Sequence, residues 1–395
     1  MKWKEQALMS LCLRATSGGT PSTTDASFYG GDIPWLRTQE VDFNFITDTE
    51  IKITETGLEK SSAKWIPENS VIVALYGNSA GRVAVNKIPL TTNQACGNFT
   101  IDPAKADYRF VYYALLKDYE VLHGMSKGAA QNNLNLAMVK EYKLRTPELP
   151  IQKSIGDVLM SYDELIENNR HRIALLEQAA RLLYEEWFIR LKFPGHERTR
   201  IVNGVPEGWE WKTLGNICTE VRDTALPEDL EPETPYIGLE HMPRRSISLY
   251  EWSTVQMVTS SKHRYKVGDI LFGKIRPYFH KVGIAFTDGV ASSDAIVIRP
   301  NTDRLRALVL MTASSDRFVA EASQTMREGS KMPRADWKVM TQYPCFLPPS
   351  GILDSFSDTI TTITDQLRNL CFQNQKLRAA SNLLLPRLIS GEIAA

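Results

Sequence analysis

The sequence predicts an α+β protein: two mixed α/β domains related by an internal repeat, plus two long helices of coiled-coil pattern. Three features carry the prediction. The chain reads twice, its second half following the first at an offset of about two hundred residues. Each half closes on a long run whose apolar residues recur in alternating steps of four and three. Between these runs lie short β-rich segments bounded by turn residues.

The halves both open on Trp-Lys, at Trp3-Lys4 and Trp211-Lys212. Ile33-Pro34-Trp35-Leu36 returns as Thr234-Pro235-Tyr236-Ile237, and Gly128 in a polar loop returns as Gly329. Val71-Ile72-Val73-Ala74-Leu75 and Ala295-Ile296-Val297-Ile298 are continuous apolar runs, the pattern of buried strands. Ile155, Leu159, Tyr162, Ile166, Asn169, Ile173, Leu176, Ala180, Leu183 and Trp187 form the first helical seam. Leu353, Phe356, Ile360, Ile363, Leu367, Leu370, Asn374, Leu377, Ser381, Leu384 and Leu388 form its counterpart. At 1.5 Å per residue each helix would extend roughly 60 Å, so each needs a partner along its length. Asn169 and Asn374 interrupt the seams at non-equivalent places, either fixing register or marking a solvated end or packing defect.

Prolines and glycines set the bounds. Pro147 and Pro150 close the first globular part, Phe193-Pro194-Gly195 to Gly208 reads as a linker, and Pro344, Pro348 and Pro349 precede the second helix. The predicted segments are a first domain at 1–149, a helix at 150–193, a linker at 194–208, a second domain at 209–348, and a second helix with its tail at 349–395.

The 395 residues are 43% hydrophobic and 23% charged, enough for two or three cores and unlike a disordered, collagenous or membrane chain. Lys+Arg and Asp+Glu are both 46, so any nucleic-acid site must be a local patch and not a bulk positive charge. Cys12, Cys96, Cys218, Cys345 and Cys371 are far apart and contain no C-x-x-C pair, the pattern of reduced packing thiols. The first residues lack a signal-peptide pattern, and no apolar run is long enough to span a membrane; the expected location is cytoplasmic.

Catalytic patterns are scarce. Gly77-Asn78-Ser79-Ala80-Gly81 matches the G-x-S-x-G nucleophile elbow, which would make Ser79 a hydrolase nucleophile. An elbow must run directly into a helix, whereas Arg82-Val83-Ala84-Val85-Asn86 is β-prone and Pro89 follows, so the residues read as a hairpin turn. There is no P-loop, G-x-G-x-x-G, H-E-x-x-H or N-P-P-[YF] loop. His123, His171, His196, His241, His263 and His280 show no metal-ligand spacing. No catalytic, metal or cofactor site is expected in this chain.

Binding patterns are richer. From His241 to Lys281 the chain carries Arg244, Arg245, Lys262, Arg264, Lys266, Lys274, Arg276 and Lys281 against Glu251 and Asp269 alone. Tyr265, Tyr278, Phe279 and His280 interleave with them, offering planar groups beside phosphate- and guanine-binding cations. The stretch Arg327 to Arg334 adds a second basic cluster. The first half offers amides instead, at Asn78, Asn93, Gln94, Gln131, Asn132 and Asn133, and amides pair with adenine N6 and N7. Ordinary turn chemistry and a solvated surface would use the same residue types.

These residues resemble a known family, the specificity subunits of Type I restriction-modification systems, over essentially the whole chain. Ser17-Gly18-Gly19-Thr20-Pro21 and Tyr29-Gly30-Gly31-Asp32-Ile33-Pro34-Trp35 are similar to the family's opening signature, and Thr92-Asn93-Gln94-Ala95-Cys96 to its mid-domain segment. Gly128 to Asn135, then Leu149-Pro150-x-Gln152-x-x-Ile155 at the start of the first helix, continue the likeness in order. The second half departs from it, lacking the Gly-Thr-Pro opening and carrying Leu353 in place of the glutamine; Leu384-Leu385-Pro386-Arg387-Leu388-Ile389-Ser390-Gly391-Glu392-Ile393 returns to it.

The resemblance implies a non-catalytic reader of double-stranded DNA, with two target-recognition domains held by two antiparallel coiled-coil helices. Each domain would recognise one half of a split, asymmetric sequence. Two methyltransferase subunits would bring S-adenosylmethionine, and a restriction/translocase subunit ATP and Mg. The expected DNA-facing residues are Asn78, Ser79, Arg82, Lys127, Gln131, Asn132 and Asn133 for one half-site. Arg244, Arg245, Lys274, Arg276, Tyr278, His280, Lys281, Lys331 and Arg334 are those for the other. Leu165, Leu175, Leu182 and Phe188 lie off the first seam and Leu383, Leu385 and Ile389 off the second, and are expected to dock the methyltransferases. A scaffold that joins proteins without binding DNA, and a hydrolase using Ser79, are the alternatives.

Overall fold

The structure is a computed structural model describing residues 3–127, 133–324 and 333–395. It divides into two compact units, the first made of 1–166 with 377–395 and the second of 167–376. Neither unit coincides with a predicted segment, because each takes part of both long helices into its core.

In the first unit a five-stranded sheet is ordered Cys12–Ser17, Cys96–Ile101, Val71–Ala74, Val83–Asn86, Asn44–Ile46. The apolar run predicted as a strand is the central Val71–Ala74, buried along its whole length. Strand alternation divides it: Val71 and Val73 face Phe110, Val111 and Leu115, whereas Ile72 and Ala74 face Leu36, Ile66 and Leu90. A smaller three-stranded sheet contains Tyr29–Leu36, and Lys4–Ala7 pairs with Lys143–Thr146.

In the second unit the corresponding sheet runs Cys218–Val221, Ala295–Pro300, Ile270–Gly273, Val282–Ala285, Ser248–Leu249. Its strands follow one another in the same chain order as those of the first unit, and Ile270 and Phe272 face one core while Leu271 faces another. Glu210–Thr213 pairs with Pro344–Leu347, closing the unit as Lys4–Ala7 closes the first.

The long helices are Leu149–Tyr184, continued by a π turn at Glu185–Ile189, and Ser350–Ser390. The first starts on a buried Gln152, which accepts the Asp107 N–H (3.1 Å) and donates to the Pro147 carbonyl (2.9 Å). That explains the glutamine of the Leu-Pro-x-Gln sequence: it joins helix start to globular core. Asp163 accepts from the Tyr113 hydroxyl at 2.6 Å in the same unit, and together burial and this carboxylate push the Tyr113 phenol well above its ordinary pKa. In the second unit the buried Glu177 carboxylate accepts from Ser246 Oγ, the Ile247 N–H and Ser248 Oγ at 2.6, 3.0 and 2.9 Å. Also within that unit, Phe188 packs on Phe356 with ring centroids 4.7 Å apart, and Asn169 Nδ2 donates to Asn374 Oδ1 at 2.9 Å. The contacts run in opposite directions along the two helices, and the two seam asparagines are each other's partners.

Two expected docking residues are corrected. Phe188 is 5% exposed, inside the core with Trp209 and Phe356, because the π turn inserts an extra residue and rotates it inward. Ile389 is likewise buried in the first unit's core, with Leu385 half-buried beside it. Leu165, Leu175, Leu182 and Leu383 remain on the surface. Among the described residues, no helix is long and apolar enough to cross a membrane.

Candidate nucleic-acid interface

The opening and mid-domain sequences that carried the resemblance meet in the first unit, whereas Gly128, like residues 129–132, lies outside the described residues. Gly19 N–H bonds to the Thr92 carbonyl (2.9 Å), Trp35 Nε1 to the Gly19 carbonyl (2.9 Å) and the Tyr29 hydroxyl to the Pro21 carbonyl (2.8 Å). A Cβ on Gly18 would lie 2.1 Å from the Thr92 carbonyl oxygen, so this close approach requires glycine.

Above the central sheet of each unit, a tight turn projects from the strand pair Val71–Ala74/Val83–Asn86 or Ile270–Gly273/Val282–Ala285. In the first, Ala74 N–H bonds to the Arg82 carbonyl at 2.9 Å and encloses residues 75–81, with Gly77 at φ +70° and Gly81 at φ +89°. Asn78 is exposed at its tip. Ser79 Oγ donates to the Tyr76 carbonyl at 3.2 Å, and the next element is the strand Val83–Asn86, so the helix a nucleophile elbow requires is absent. Tyr76 bridges to Asn133, and the Leu134 N–H bonds to the Leu75 carbonyl at 2.9 Å. The expected turn and the expected loop are thus joined at Asn133. Lys127 ends the helix Tyr119–Lys127, while Gln131 and Asn132 lie outside the described residues. Arg82 turns back to Asp42, with Nη1 to Oδ1 at 2.8 Å, and stands over the Phe43 ring.

The second turn is closed by Gly273 N–H to the Lys281 carbonyl at 2.8 Å and encloses residues 274–280. Ile275 bridges to Arg334, the Arg276 N–H bonds to Pro333 and the Ala335 N–H to Lys274, which gathers Lys274, Arg276 and Arg334. Lys331 lies outside the described residues. Arg334 pairs with Asp294 at 3.2 Å. The Arg244 guanidinium stacks 4.1 Å from the centre of the Phe279 ring and that of Arg276 lies 6.0 Å from it. Tyr278 is 53% exposed at the tip. Lys281 donates to the Leu239 carbonyl, and burial, then Arg244, lowers its pKa.

His280 is the anchor of this turn and not a contact residue. It is buried, its Nε2 2.8 Å from the Ser314 carbonyl and its Nδ1 3.4 Å from Asp316. Burial pushes its pKa below the ordinary imidazole value. Arg245 pairs with the same Asp316 at 2.9 Å and gives its N–H to the His280 carbonyl. Both line a cavity of about 420 Å3 with Arg181, Asp316 and Arg317. Sequence reading missed Arg181 and Arg317 of this cavity because they come from separate helices, and missed the exposed Tyr76 and Trp65 because single aromatics carry no pattern.

The basic stretch of the sequence does not act as one surface. Lys262 is buried, its ammonium donating to the Ser260 carbonyl and hydroxyl, and its pKa falls through burial. Arg264 and Lys266 face a hollow shared with Arg299 and with Asp223 and Asp288, whose two carboxylates partly offset the three cations.

Comparison with known proteins gives a consistent result. Residues 1–178 match the family described as Type I restriction modification DNA specificity domain. The chain is similar to the Type I restriction enzyme MjaIX specificity subunit of Methanocaldococcus jannaschii, 24% identical over 398 residues spanning 95% of this chain and 90% of the relative. It is 22% identical over 312 residues to the EcoDI specificity subunit of Escherichia coli, spanning 72% and 68% of the two. Its fold is similar to the crystal structure of the Type-I restriction-modification S subunit from M. genitalium, with TM-score 0.63 and 15% identity over 98% of this chain and 96% of that one.

Proposed function

We propose that the chain is a Type I restriction-modification specificity subunit whose two units read the two halves of a split DNA target. The observation that carries this is the paired construction of the candidate sites: each unit holds a projecting turn bridged to a following loop, Tyr76 to Asn133 and Ile275 to Arg334. The common strand order of the two central sheets supports an internal repeat behind both sites. Their chemistry differs. Asn78 and Asn133 present amides to one half-site, suited to adenine edges. Arg244, Lys274, Arg276, Tyr278 and Arg334 present cations and a ring to the other, suited to phosphates and guanine. Two dissimilar surfaces select an asymmetric sequence.

The chain performs this by binding alone; the bond-making groups belong to partners. Two methyltransferase subunits carry S-adenosylmethionine, and a restriction/translocase subunit carries ATP and Mg. The long helices form an antiparallel coiled-coil pair, an assignment supported by the Asn169–Asn374 contact, and Leu165 and Leu383 in the first unit and Leu175 and Leu182 in the second offer the methyltransferases exposed apolar side chains. The complex acts on DNA in the cytoplasm.

The test is binding of the assembled subunit–methyltransferase complex to a duplex carrying its methylation motif, measured across a salt series. Lys274→Ala should weaken binding to all sequences similarly and reduce the salt slope by about one. Unchanged affinity and slope would remove the second turn from the interface.

A further inference from the structure

We infer that Arg276 reads a guanine in the half-site of the second unit, an inference that rests on the DNA-reading function above. The reason lies in the backbone. The turns at 75–81 and 274–280 are closed by equivalent hydrogen bonds, and each places two residues in the left-handed region. In the first turn both are glycine, Gly77 and Gly81. In the second the same two positions hold Arg276 at φ +47° and His280 at φ +54°. Side chains at such angles crowd the backbone, and glycine takes them without that cost. Arginine and histidine stand where the other turn shows glycine to suffice.

His280 has a structural reason to be there. Its ring is buried and bonded to the Ser314 carbonyl, and the matching Gly81 is also a packed position, where a Cβ would lie 3.0 Å from the His123 nitrogen. Arg276 has none. A Cβ on the matching Gly77 meets nothing within 4 Å, and Arg276 is itself exposed and without a carboxylate partner among the described residues. Its backbone is held by the N–H bond to Pro333 and by its own carbonyl accepting from Phe279 at 2.9 Å, and its guanidinium is steered by the Phe279 ring. Backbone crowding is thus accepted at an exposed position, where a planar, two-pronged donor stands beside the Phe279 ring and open to solvent. A phosphate needs only charge, which the neighbouring Lys274 supplies; a pre-aimed fork matches the O6 and N7 acceptors of guanine in the major groove.

The experiment maps adenine methylation genome-wide in cells carrying the full chain, or its Arg276→Gly or Arg276→Lys variant, with its methyltransferase partner. Arg276→Gly should leave the melting temperature of the purified complex equal to or above that of the parent, since glycine relieves the φ. The methylated motif should lose discrimination at one G·C pair of one half-site by about tenfold or more, with the other half-site intact. Arg276→Lys, which keeps the charge without the fork, should relax the same position. An unchanged motif, a relaxed A·T pair, an even loss of methylation at every site, or full discrimination in the lysine variant would each overturn the assignment. A parent strain without a two-part motif would instead overturn the DNA-reading function on which it rests.

Discussion

Single residues decide how the two turns are held. Gly77→Ala should cost about 1 kcal/mol through φ alone, because its added Cβ points into open space. Gly81→Ala should cost more, its Cβ meeting the His123 backbone as well, and thermal unfolding of the two variants ranks them. The opposite ranking would mean that the turn is not packed as described. At His280 the effect is one of pH. Burial holds its folded pKa below the unfolded value of about 6.5, with the Ser314 carbonyl and Asp316 opposing and Arg245 and Arg181 reinforcing the shift. The unfolded chain therefore binds more protons as pH falls below about 6.5, and the stability contributed by neutral His280 is lost there. His280→Asn, which tolerates the backbone angle, should show a smaller drop in melting temperature between about pH 7.5 and about pH 5.5 than the parent. Equal drops would show that the His280 imidazole has the same pKa in the folded and unfolded chain, contradicting the downward shift.

At the scale of elements, the helices were the most legible part of the sequence and the turns the least. The seams stood out because steps of three and four repeat over long stretches, and Ile155, Leu159, Leu367 and Leu388 are buried as that spacing requires. What spacing could not show was that Asn169 and Asn374 bond to each other, since pairing depends on which helix lies opposite. Asn169→Leu alone should strand the buried Asn374 amide and lower stability by about 1–3 kcal/mol, while the Asn169→Leu/Asn374→Leu double variant should recover most of it. A double variant as unstable as the single would contradict the pairing. Phe188 escaped sequence reading because a π turn leaves no periodic mark, only a break in phase. The basic run from His241 to Lys281 misled in another way: it passes through a strand, a hollow and a turn, so neighbours in sequence reach different surroundings. Substituting Ser for the exposed Leu175 and Leu182 should lower co-purification of methyltransferase with little change in melting temperature, and unchanged co-purification would place docking elsewhere.

For the whole molecule, the division into two units follows from the long helices serving as core to both. The first unit's core takes Ile155, Leu159, Leu388 and Ile389, and the second's takes Ala180, Tyr184, Leu353 and Phe356. Sequence boundaries drawn at prolines separated helix from domain, whereas burial does not. The zero net charge fits this architecture, since the candidate surfaces are small and only that of the second unit is strongly basic. The central claim is that this chain alone fixes the sequence at which its partners act. A genome-wide map of methylated adenine, made with and without the chain while its methyltransferase partner is expressed, tests that claim most directly. Loss of one split, asymmetric motif on removing the chain, with methylation at all other motifs unchanged, is the predicted result; an unaltered map with the methyltransferase active would contradict it.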